Sequence, residues 1–121
     1  MKNIAIIDDE QDILDMLKKF LSRREAFQID TYSNPKEAVN TLKTGKYDLI
    51  LSDIMMPQMD GIQLLKEVKE SNPSQKMIML TAYSTEHRLI ECETHGADDY
   101  ITKPFISLRD VENKVLDSFG M

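Results

Sequence analysis

The 121-residue sequence contains no tryptophan and only one cysteine. A single cysteine, Cys92, excludes an internal disulfide and indicates a reducing cytoplasm as the compartment. No apolar stretch approaches the roughly 20 residues of a membrane-spanning helix. The apolar run near the N-terminus is too short for a signal peptide and is followed at once by acidic residues. We therefore expect a cytoplasmic domain without a membrane segment.

The sequence also lacks an excess of basic residues. Its 15 lysines and arginines are outnumbered by 21 acidic residues, which gives a formal net charge of −6. Binding to nucleic acid or to an anionic membrane surface usually requires a basic field. We therefore expect this domain to bind neither directly. The length and the apolar share of 41% suit one globular domain over residues 1–121.

Short apolar runs alternate with segments of helical periodicity along the chain. Between these runs, apolar residues recur three and four positions apart, which predicts a helix after each strand. The predicted strands lie at residues 4–7, 27–32, 49–52, 77–80 and 100–101.

Local signals mark where several of the helices begin and end. Asn34, followed by proline, is expected to cap the second helix, and Ser107 is expected to cap the fifth. Ser84 or Thr85 can cap the fourth helix. Gly45 is expected to follow the end of the second helix, because glycine readily adopts the left-handed conformation found there.

Five strand–helix units in strict alternation predict an α/β fold, with a parallel sheet covered by helices on both faces. A common order for such doubly wound sheets is the flavodoxin-like 2-1-3-4-5, with the ligand site where the order reverses, between strands 1 and 3. Polar residues stand at the carboxyl ends of four of the five strands in this order, whereas strand 2, at one edge, offers no comparable group. They are Asp8 and Asp9, Asp53, Thr81 and Lys103.

These strand-end residues form a chemically consistent set. Clustered carboxylates repel one another, so either one takes up a proton or a cation lies among them. Oxygen ligands without histidine or cysteine select a hard ion such as Mg²⁺ or Mn²⁺. Lys103 is a compact charge suited to a phosphate oxygen or to Asp53, and Thr81 offers a hydroxyl. The set therefore suits phosphoryl chemistry.

Each member of the set also has a simpler interpretation. An aspartate after a strand is commonly a helix cap or a turn residue, and the acids at residues 8–10 could only favour the positive N-terminus of the first helix. Thr81 can be a capping hydroxyl, and Lys103 can be a solvated surface residue. Their joint position at the ends of four strands favours their interpretation as one functional site over the simpler interpretations.

Four segments together carry a family resemblance. They are IIDDE at residues 6–10, SDIMMPQMDG at 52–61, LTAYS at 80–84 and GADDYITKPF at 96–105. In order and spacing they resemble the receiver domain of two-component response regulators, the chemotaxis-regulator-like family. The resemblance covers essentially the whole chain.

The resemblance implies a role for several of these residues. Asp53 would be the phosphoryl acceptor, and Lys103 would bind a phosphoryl oxygen. Thr81 would be the switch hydroxyl that turns toward the phosphoryl group, and Tyr100 the aromatic residue whose position reports the switch. The peptide bond between Lys103 and Pro104 is expected to be cis.

The resemblance also implies a metal site. Asp8 and Asp9 would hold Mg²⁺, with Mn²⁺ as the alternative, together with Asp53 and the main-chain carbonyl of Met55. Two positions that vary within the family, occupied here by Met55 and Tyr83, would flank the approach of water to the phosphoryl group and modulate its lifetime.

The implied function is signalling rather than enzymatic turnover. Asp53 would accept a phosphoryl group from a sensor histidine kinase or a histidine phosphotransfer protein that docks near the first helix. The fourth helix, fifth strand and fifth helix would then present a changed surface to an output protein or domain, and a phosphorylation-dependent dimer is compatible with this arrangement. The end of the chain fits a stand-alone regulator and a receiver from a longer protein equally well.

Three alternatives have different sequence requirements. An aspartyl-phosphate hydrolase usually needs a second acid two residues after its nucleophile, where this chain has Met55. An FMN carrier of the same fold needs a Ser/Thr/Gly-rich loop after the first strand, where this chain has the acidic DDEQD. A degenerate receiver that only mediates contacts would not need the full set of acids with Thr81 and Lys103.

Overall fold

A computed structural model of the chain describes residues 1–82 and 86–121. In this part of the chain, strands and helices alternate strictly, as the sequence predicts. The elements are β1 (Lys2–Ile7), α1 (Gln11–Leu21), β2 (Phe27–Tyr32), α2 (Pro35–Leu42), β3 (Leu49–Asp53), α3 (Gly61–Ser71), β4 (Lys76–Thr81), α4 (Glu86–Thr94), β5 (Asp99–Thr102) and α5 (Leu108–Ser118). None of the helices in the described ranges is long and apolar enough to cross a membrane.

The strands form one parallel sheet in the order β2-β1-β3-β4-β5, which confirms the predicted order. The order reverses at β1, which lies between β2 and β3. The register pairs Asp53 with Leu80 and Thr81 with Thr102, so the inner strands end at nearly the same level. This alignment brings the strand-end residues to one edge of the sheet.

Helices cover both faces of the sheet because the inner strands are apolar on both faces. In β1, Ile4 and Ile6 belong to the core beneath α1 and α5, whereas Ala5 and Ile7 belong to the core beneath α2 and α3. This period of two is the pleat of a strand buried on both sides. Cys92 of α4 is buried in the same core as Ala5 and Ile7.

The helix caps predicted from the sequence are present where the structure describes them. The Asn34 side chain accepts a hydrogen bond from the Lys36 amide at 3.0 Å, with Pro35 as the first helical residue. The Ser107 hydroxyl accepts one from the Asp110 amide at 3.1 Å. Both caps satisfy amides that have no partner within their helix.

Other predicted boundaries have mixed outcomes. Gly45 follows α2 with a φ of +79°, in the left-handed region that glycine adopts without strain. The predicted caps Ser84 and Thr85, and the predicted modulator Tyr83, lie outside the described residues.

Candidate functional site

Four polar side chains are buried at the carboxyl edge of the sheet. Asp8 directly follows β1, Asp53 ends β3, Thr81 ends β4 and Lys103 directly follows β5. Their exposed fractions are 0%, 4%, 1% and 8%, respectively. The structure therefore gathers four of the predicted residues into one cluster, although the elements that carry them are far apart along the chain.

Lys103 lies at the centre of this cluster. Its Nζ is 2.5 Å from Asp8 Oδ2, 3.4 Å from Asp53 Oδ2 and 3.6 Å from Glu10 Oε1. One oxygen from each of these three carboxylates lies within 4.8 Å of the others. An ammonium group surrounded by three acids leaves the cluster negative when all are ionised.

Backbone hydrogen bonds hold the acids in place. Asp8 Oδ1 accepts a hydrogen bond from the Glu10 amide at 2.9 Å, and Asp53 Oδ1 accepts one from the Met55 amide at 3.4 Å. The Lys103 amide donates to the Thr81 carbonyl at 2.7 Å, which fixes the residue that follows β5 against the end of β4. The peptide bond between Lys103 and Pro104 is cis, as the resemblance implies.

Burial and charge shift the protonation of the two buried aspartates. Burial, together with the nearby Asp8 charge, raises the pKa of Asp53 to about 6, against the opposing effect of Lys103. Burial also raises the pKa of Asp8, although the hydrogen bond from Lys103 opposes this. Both shifts follow from placing negative charges close together away from water. The cluster therefore favours the uptake of positive charge.

The same contacts act on Lys103 in the opposite sense. Burial by itself would lower the pKa of Lys103, but the hydrogen bond to Asp8 and the charges of Asp8, Asp53 and Glu10 outweigh it and raise that pKa. Lys103 therefore stays a cation at neutral pH, fixed beside the Asp53 carboxylate.

The hydroxyl of Thr81 has no hydrogen-bond partner among the described residues, although it is buried. A buried hydroxyl without a partner is costly and calls for an explanation. Its position at the end of β4, beside β3 and β5, makes it available to an oxygen that enters the site. This agrees with the switch role that the resemblance implies for Thr81.

Gly61, the first residue of α3, packs directly against the backbone of Asp53. A Cβ atom at this position would lie 2.1 Å from the Asp53 carbonyl oxygen and 2.7 Å from Ile54 Cα. The Gly61 amide also donates to the Ile54 carbonyl at 2.7 Å. Glycine is therefore required here for space, a role that was not predicted from the sequence.

Asp9 and Glu10 differ from the expected arrangement. Asp9 is exposed and is not among the described acids whose oxygens meet in the cluster, whereas Glu10 is. From the sequence, Glu10 is expected only as a charge near the N-terminus of a helix. Its spacing of two residues from Asp8, at the N-cap of α1, is the signal that could have revealed it.

The remaining predicted residues lie around the cluster. Met55 is 56% exposed beside Asp53, whereas its neighbour Met56 is buried in the core. Tyr100 is 44% exposed on β5, where it pairs with Met79, two residues before the last pair of the two strands. Of the two predicted modulators, the structure thus describes only Met55.

The donor set fits a hard divalent cation. Asp8, Glu10 and Asp53 offer carboxylate oxygens, and the cluster contains no histidine or cysteine among the described residues. Mg²⁺ binds oxygen ligands and commonly uses only one or two carboxylates, with water and phosphate oxygens in the remaining positions. A divalent charge would also relieve the repulsion that raises the pKa of Asp53.

Comparison with known sequences gives a consistent result. Residues 4–115 match the family described as the response regulator receiver domain. The response regulator SaeR of Staphylococcus aureus (strain USA300) is 39% identical over 105 residues, which are 87% of this chain. The chain spans 45% of the length of that relative, about half of it.

Comparison with solved structures agrees over nearly the whole chain. A response regulator receiver domain protein (CheY-like) from Methanospirillum hungatei JF-1 has a TM-score of 0.92 and 31% identity, covering 99% of this chain and 94% of its own. The response regulator protein TrrA from Thermotoga maritima, solved in complex with Mg²⁺ and BeF, has a TM-score of 0.85 and 34% identity. That match covers 98% of this chain and 99% of the TrrA chain.

Proposed function

The chain belongs to the response regulator receiver family of two-component signalling, and we propose that its residues 1–121 form a receiver domain that accepts a phosphoryl group on Asp53. The observation that carries this proposal is the position of the Asp53 carboxylate 3.4 Å from Lys103 and beside two further acids. The buried Thr81 hydroxyl, which has no partner among the described residues, ends the neighbouring strand. These are a nucleophile, a cation and a hydrogen-bond donor on one small site.

Asp53 is the nucleophile of the proposed reaction. With a pKa of about 6, its carboxylate is mainly ionised at pH 7. One carboxylate oxygen attacks the phosphorus atom of a phosphohistidine in line, the new O–P bond replaces the P–N bond, and the imidazole leaves. Lys103 binds a phosphoryl oxygen and offsets the charge that the transfer adds.

Receiver domains of this family bind Mg²⁺ through acidic residues, and this chain carries such a cluster. The proposed ligands are Asp8, Asp9, Asp53 and the main-chain carbonyl of Met55, with Mn²⁺ as an alternative ion. Glu10 is a further ligand candidate because its carboxylate reaches the cluster. When bound, such an ion stabilises the charge on the transferring phosphoryl oxygens.

Thr81 and Tyr100 form the proposed switch. A phosphoryl group adds negative charge and strong acceptor oxygens. The Thr81 hydroxyl, which has no partner in the described part of the chain, donates to one of them. Tyr100, which is half exposed on β5, then changes its position in response. Phosphorylation thereby shifts an equilibrium between two arrangements of this face.

The proposed phosphodonor is a sensor histidine kinase or a histidine phosphotransfer protein that docks beside α1. An apolar cavity of about 360 Å³ opens between α1 and the segment that follows β5, and Lys103 lies in its wall. Its other lining residues are Ile13, Met16, Pro104, Phe105, Ser107 and Leu108. A partner helix seated there would bring its phosphohistidine to the edge of the site.

The proposed output surface is formed by α4, β5 and α5. Ile90 is 52% exposed, Tyr100 is 44% exposed and Ile106, before α5, is 95% exposed. These apolar side chains suit contact with an output protein or domain, or with a second copy in a phosphorylation-dependent dimer. The net charge of −6 supports a role without direct binding to nucleic acid or membrane, and the single cysteine supports a cytoplasmic compartment.

Incubation with acetyl phosphate and Mg²⁺, followed by intact-mass measurement, tests the proposed function. We expect stable addition of one phosphoryl group to the wild-type chain and none to Asp53→Ala. Rapid turnover of the donor without stable labelling would indicate a hydrolase. A chain that is never labelled would indicate a receiver that only mediates contacts, and full labelling of Asp53→Ala would contradict the acceptor assignment.

A further inference from the structure

A guanidinium group from α4 contacts the segment that follows the acceptor. We call residues 54–60, between β3 and α3, the acceptor loop. The Arg88 side chain donates to Asp60 Oδ2 at 2.9 Å and lies 3.7 Å from the sulfur of Met55. One side chain thus contacts the acceptor loop near both of its ends.

Each of these two contacts lies next to a backbone group that touches Asp53. At the first end of the loop, the Met55 amide donates to Asp53 Oδ1 at 3.4 Å. At the other end, Asp60 precedes Gly61, whose close packing on the Asp53 carbonyl sets the start of α3. Movement of either end of the loop would therefore move the acceptor or the amide that binds it.

Asp60 divides its two oxygens between two tasks. Its Oδ1 accepts a hydrogen bond from the Ile62 amide at 2.8 Å and caps α3, whereas its Oδ2 pairs with Arg88. Because the cap needs only one acceptor oxygen, the pairing and the capping can be separated by mutation.

We infer that Arg88 is a positioning residue for phosphoryl transfer at Asp53, acting by holding the acceptor loop through Asp60 and Met55. The inference rests on the proposed function and deepens it. Arg88 ties α4, part of the proposed output surface, to the segment that shapes the acceptor site. Any rearrangement of α4 that accompanies phosphorylation is thereby coupled to the geometry of Asp53.

The exposure of the Arg88–Asp60 ion pair indicates that the pair affects the acceptor loop more than it affects global stability. The Arg88 side chain is 27% exposed and that of Asp60 is 46% exposed. Ion pairs at such exposure contribute little to global stability. Losing the pair should therefore leave the fold intact while loosening the acceptor loop.

Variants of the two partners test the inference. Arg88→Met removes the guanidinium but keeps an apolar stem, and Arg88→Lys keeps a cation. Asp60→Asn keeps the helix cap, because asparagine caps as well as aspartate, but removes the charge. As a control, Lys43→Met breaks a comparable pair, Lys43 to Glu67 at 3.4 Å, which joins α2 to α3.

The first readout is amide hydrogen exchange in the unphosphorylated chain. We expect faster exchange at the Met55 and Gly61 amides in Arg88→Met, and near wild-type exchange in Arg88→Lys and in the Lys43→Met control. Unchanged exchange at both amides in Arg88→Met would contradict the inference.

The second readout is the rate of Asp53 phosphorylation by acetyl phosphate at fixed Mg²⁺. Mutations that alter such couplings change them by roughly twofold to thirtyfold, and we expect a decrease in rate within that range in Arg88→Met and in Asp60→Asn. The double variant should be no slower than Arg88→Met, because Arg88→Met already removes the pair with Asp60.

Two results of this second experiment overturn the inference: wild-type rates in Arg88→Met and Asp60→Asn, or fully additive losses in the double variant. A wild-type chain that takes no phosphoryl group contradicts the proposed function instead. Faster exchange in Arg88→Met would in that case still support Arg88 as the residue that holds the acceptor loop.

Discussion

The residues around Asp53 set the protonation of its carboxyl group. Burial and the nearby Asp8 charge raise its pKa to about 6, while Lys103, 3.4 Å away, keeps a compensating cation beside it. The carboxylate is therefore ionised near neutral pH yet close to the point where it takes up a proton. At the scale of single residues, this balance makes the side chains around Asp53 the most informative to change.

Met55 is expected to slow the loss of the phosphoryl group. Its exposed side chain stands beside Asp53 and offers no donor and only a weak acceptor to an attacking water. Met55→Asn supplies both, and since a positioned acid–base group contributes about 100-fold or more, we expect partial positioning to speed dephosphorylation roughly threefold to tenfold. The decay of phosphorylated protein after donor removal, at fixed Mg²⁺, measures this.

Met56→Leu serves as the control, because Met56 is buried in the core and does not face the solvent beside the acceptor. Its decay rate should match that of the wild type. The same rate in Met55→Asn would show that this side chain does not control the approach of water. Tyr83, at the other predicted modulating position, remains a prediction: adding Tyr83→Glu to Met55→Asn is expected to speed the decay further.

The identity of the metal ligands is also decided at the residue scale. We expect Asp9→Ala to weaken Mg²⁺ binding sharply, because Asp9 is a proposed ligand next to Asp8, and to leave the fold intact, because its side chain is exposed. Glu10→Gln provides the comparison, since its carboxylate lies in the cluster. Calorimetric titration of Mg²⁺ into each folded variant measures the change.

If Asp9→Ala binds Mg²⁺ as the wild type does and Glu10→Gln does not, the ligand role belongs to Glu10. If both variants bind less tightly, both acids contribute. Full binding by both variants would mean that Asp8 and Asp53 suffice.

At the scale of elements, the start of α3 is set by contact with the acceptor strand. Asp60 caps the helix, and Gly61 allows its first turn to lie directly on the backbone of Asp53 and Ile54. The hydrogen bond from the Gly61 amide to the Ile54 carbonyl closes the acceptor loop. A helix that begins this close to the acceptor limits the positions that the acceptor can adopt.

Gly61→Ala should therefore disturb both stability and phosphorylation. The added Cβ would meet backbone atoms, which cannot turn away as a side chain can. Overpacking typically costs about 1–3 kcal/mol, and we expect a loss of unfolding free energy at the upper end of this range, with slower phosphorylation of Asp53. Urea unfolding and the acetyl phosphate assay measure the two effects.

Gly120→Ala is a useful comparison for this substitution. A Cβ at Gly120 meets nothing within 4 Å, but the residue has a φ of +69°, so its cost reflects backbone strain alone. Phosphorylation of Gly120→Ala should be normal. If Gly61→Ala loses no more stability than Gly120→Ala and is phosphorylated normally, then α3 can shift without disturbing Asp53.

At the scale of the whole molecule, the site places two negative charges at the ends of neighbouring strands. Asp8 and Asp53 come from β1 and β3, the pair at which the strand order reverses, and Lys103 follows β5. The fold thus holds two carboxylates that repel each other at one edge of an otherwise apolar sheet. This repulsion should be visible in the stability of the entire domain.

In the absence of divalent metal, we expect stability to fall as the pH rises toward neutrality. Asp53 binds its proton more tightly in the folded state, with a pKa of about 6 against an ordinary 3.8, so its contribution is greatest at low pH and is lost as the pH rises through 6. The raised pKa of Asp8 acts in the same direction. By linkage, the Asp53 contribution between pH 5 and pH 8 is about 1 kcal/mol.

Urea unfolding of the wild type and of Asp53→Asn at pH 5 and pH 8 measures this difference, since ionisations common to both chains cancel. The wild type should lose more stability than the variant on going to pH 8, and Mg²⁺ should restore it at pH 8 in the wild type only. Equal losses in the two chains would mean that Asp53 ionises without a cost to the fold.

The sequence by itself determined the order of the strands and helices and the edge of the sheet at which the site would form. Continuous apolar runs mark strands buried on both faces, and Asn34 and Ser107 begin helices through contacts within three residues of themselves. Such signals are local, so they survive without knowledge of the fold. The polar residue at each strand end then follows from the rule that parallel strands end together.

Only the tertiary structure decided which side chains meet. Glu10 reaches the cluster while Asp9 faces solvent, although both are acids beside Asp8. Arg88 pairs with Asp60 across 28 positions of sequence. The direction of a side chain depends on the packing of its backbone against elements far away in the chain. Composition, periodicity and spacing contain no measure of that packing, and it appears only when the sheet and its helices are assembled.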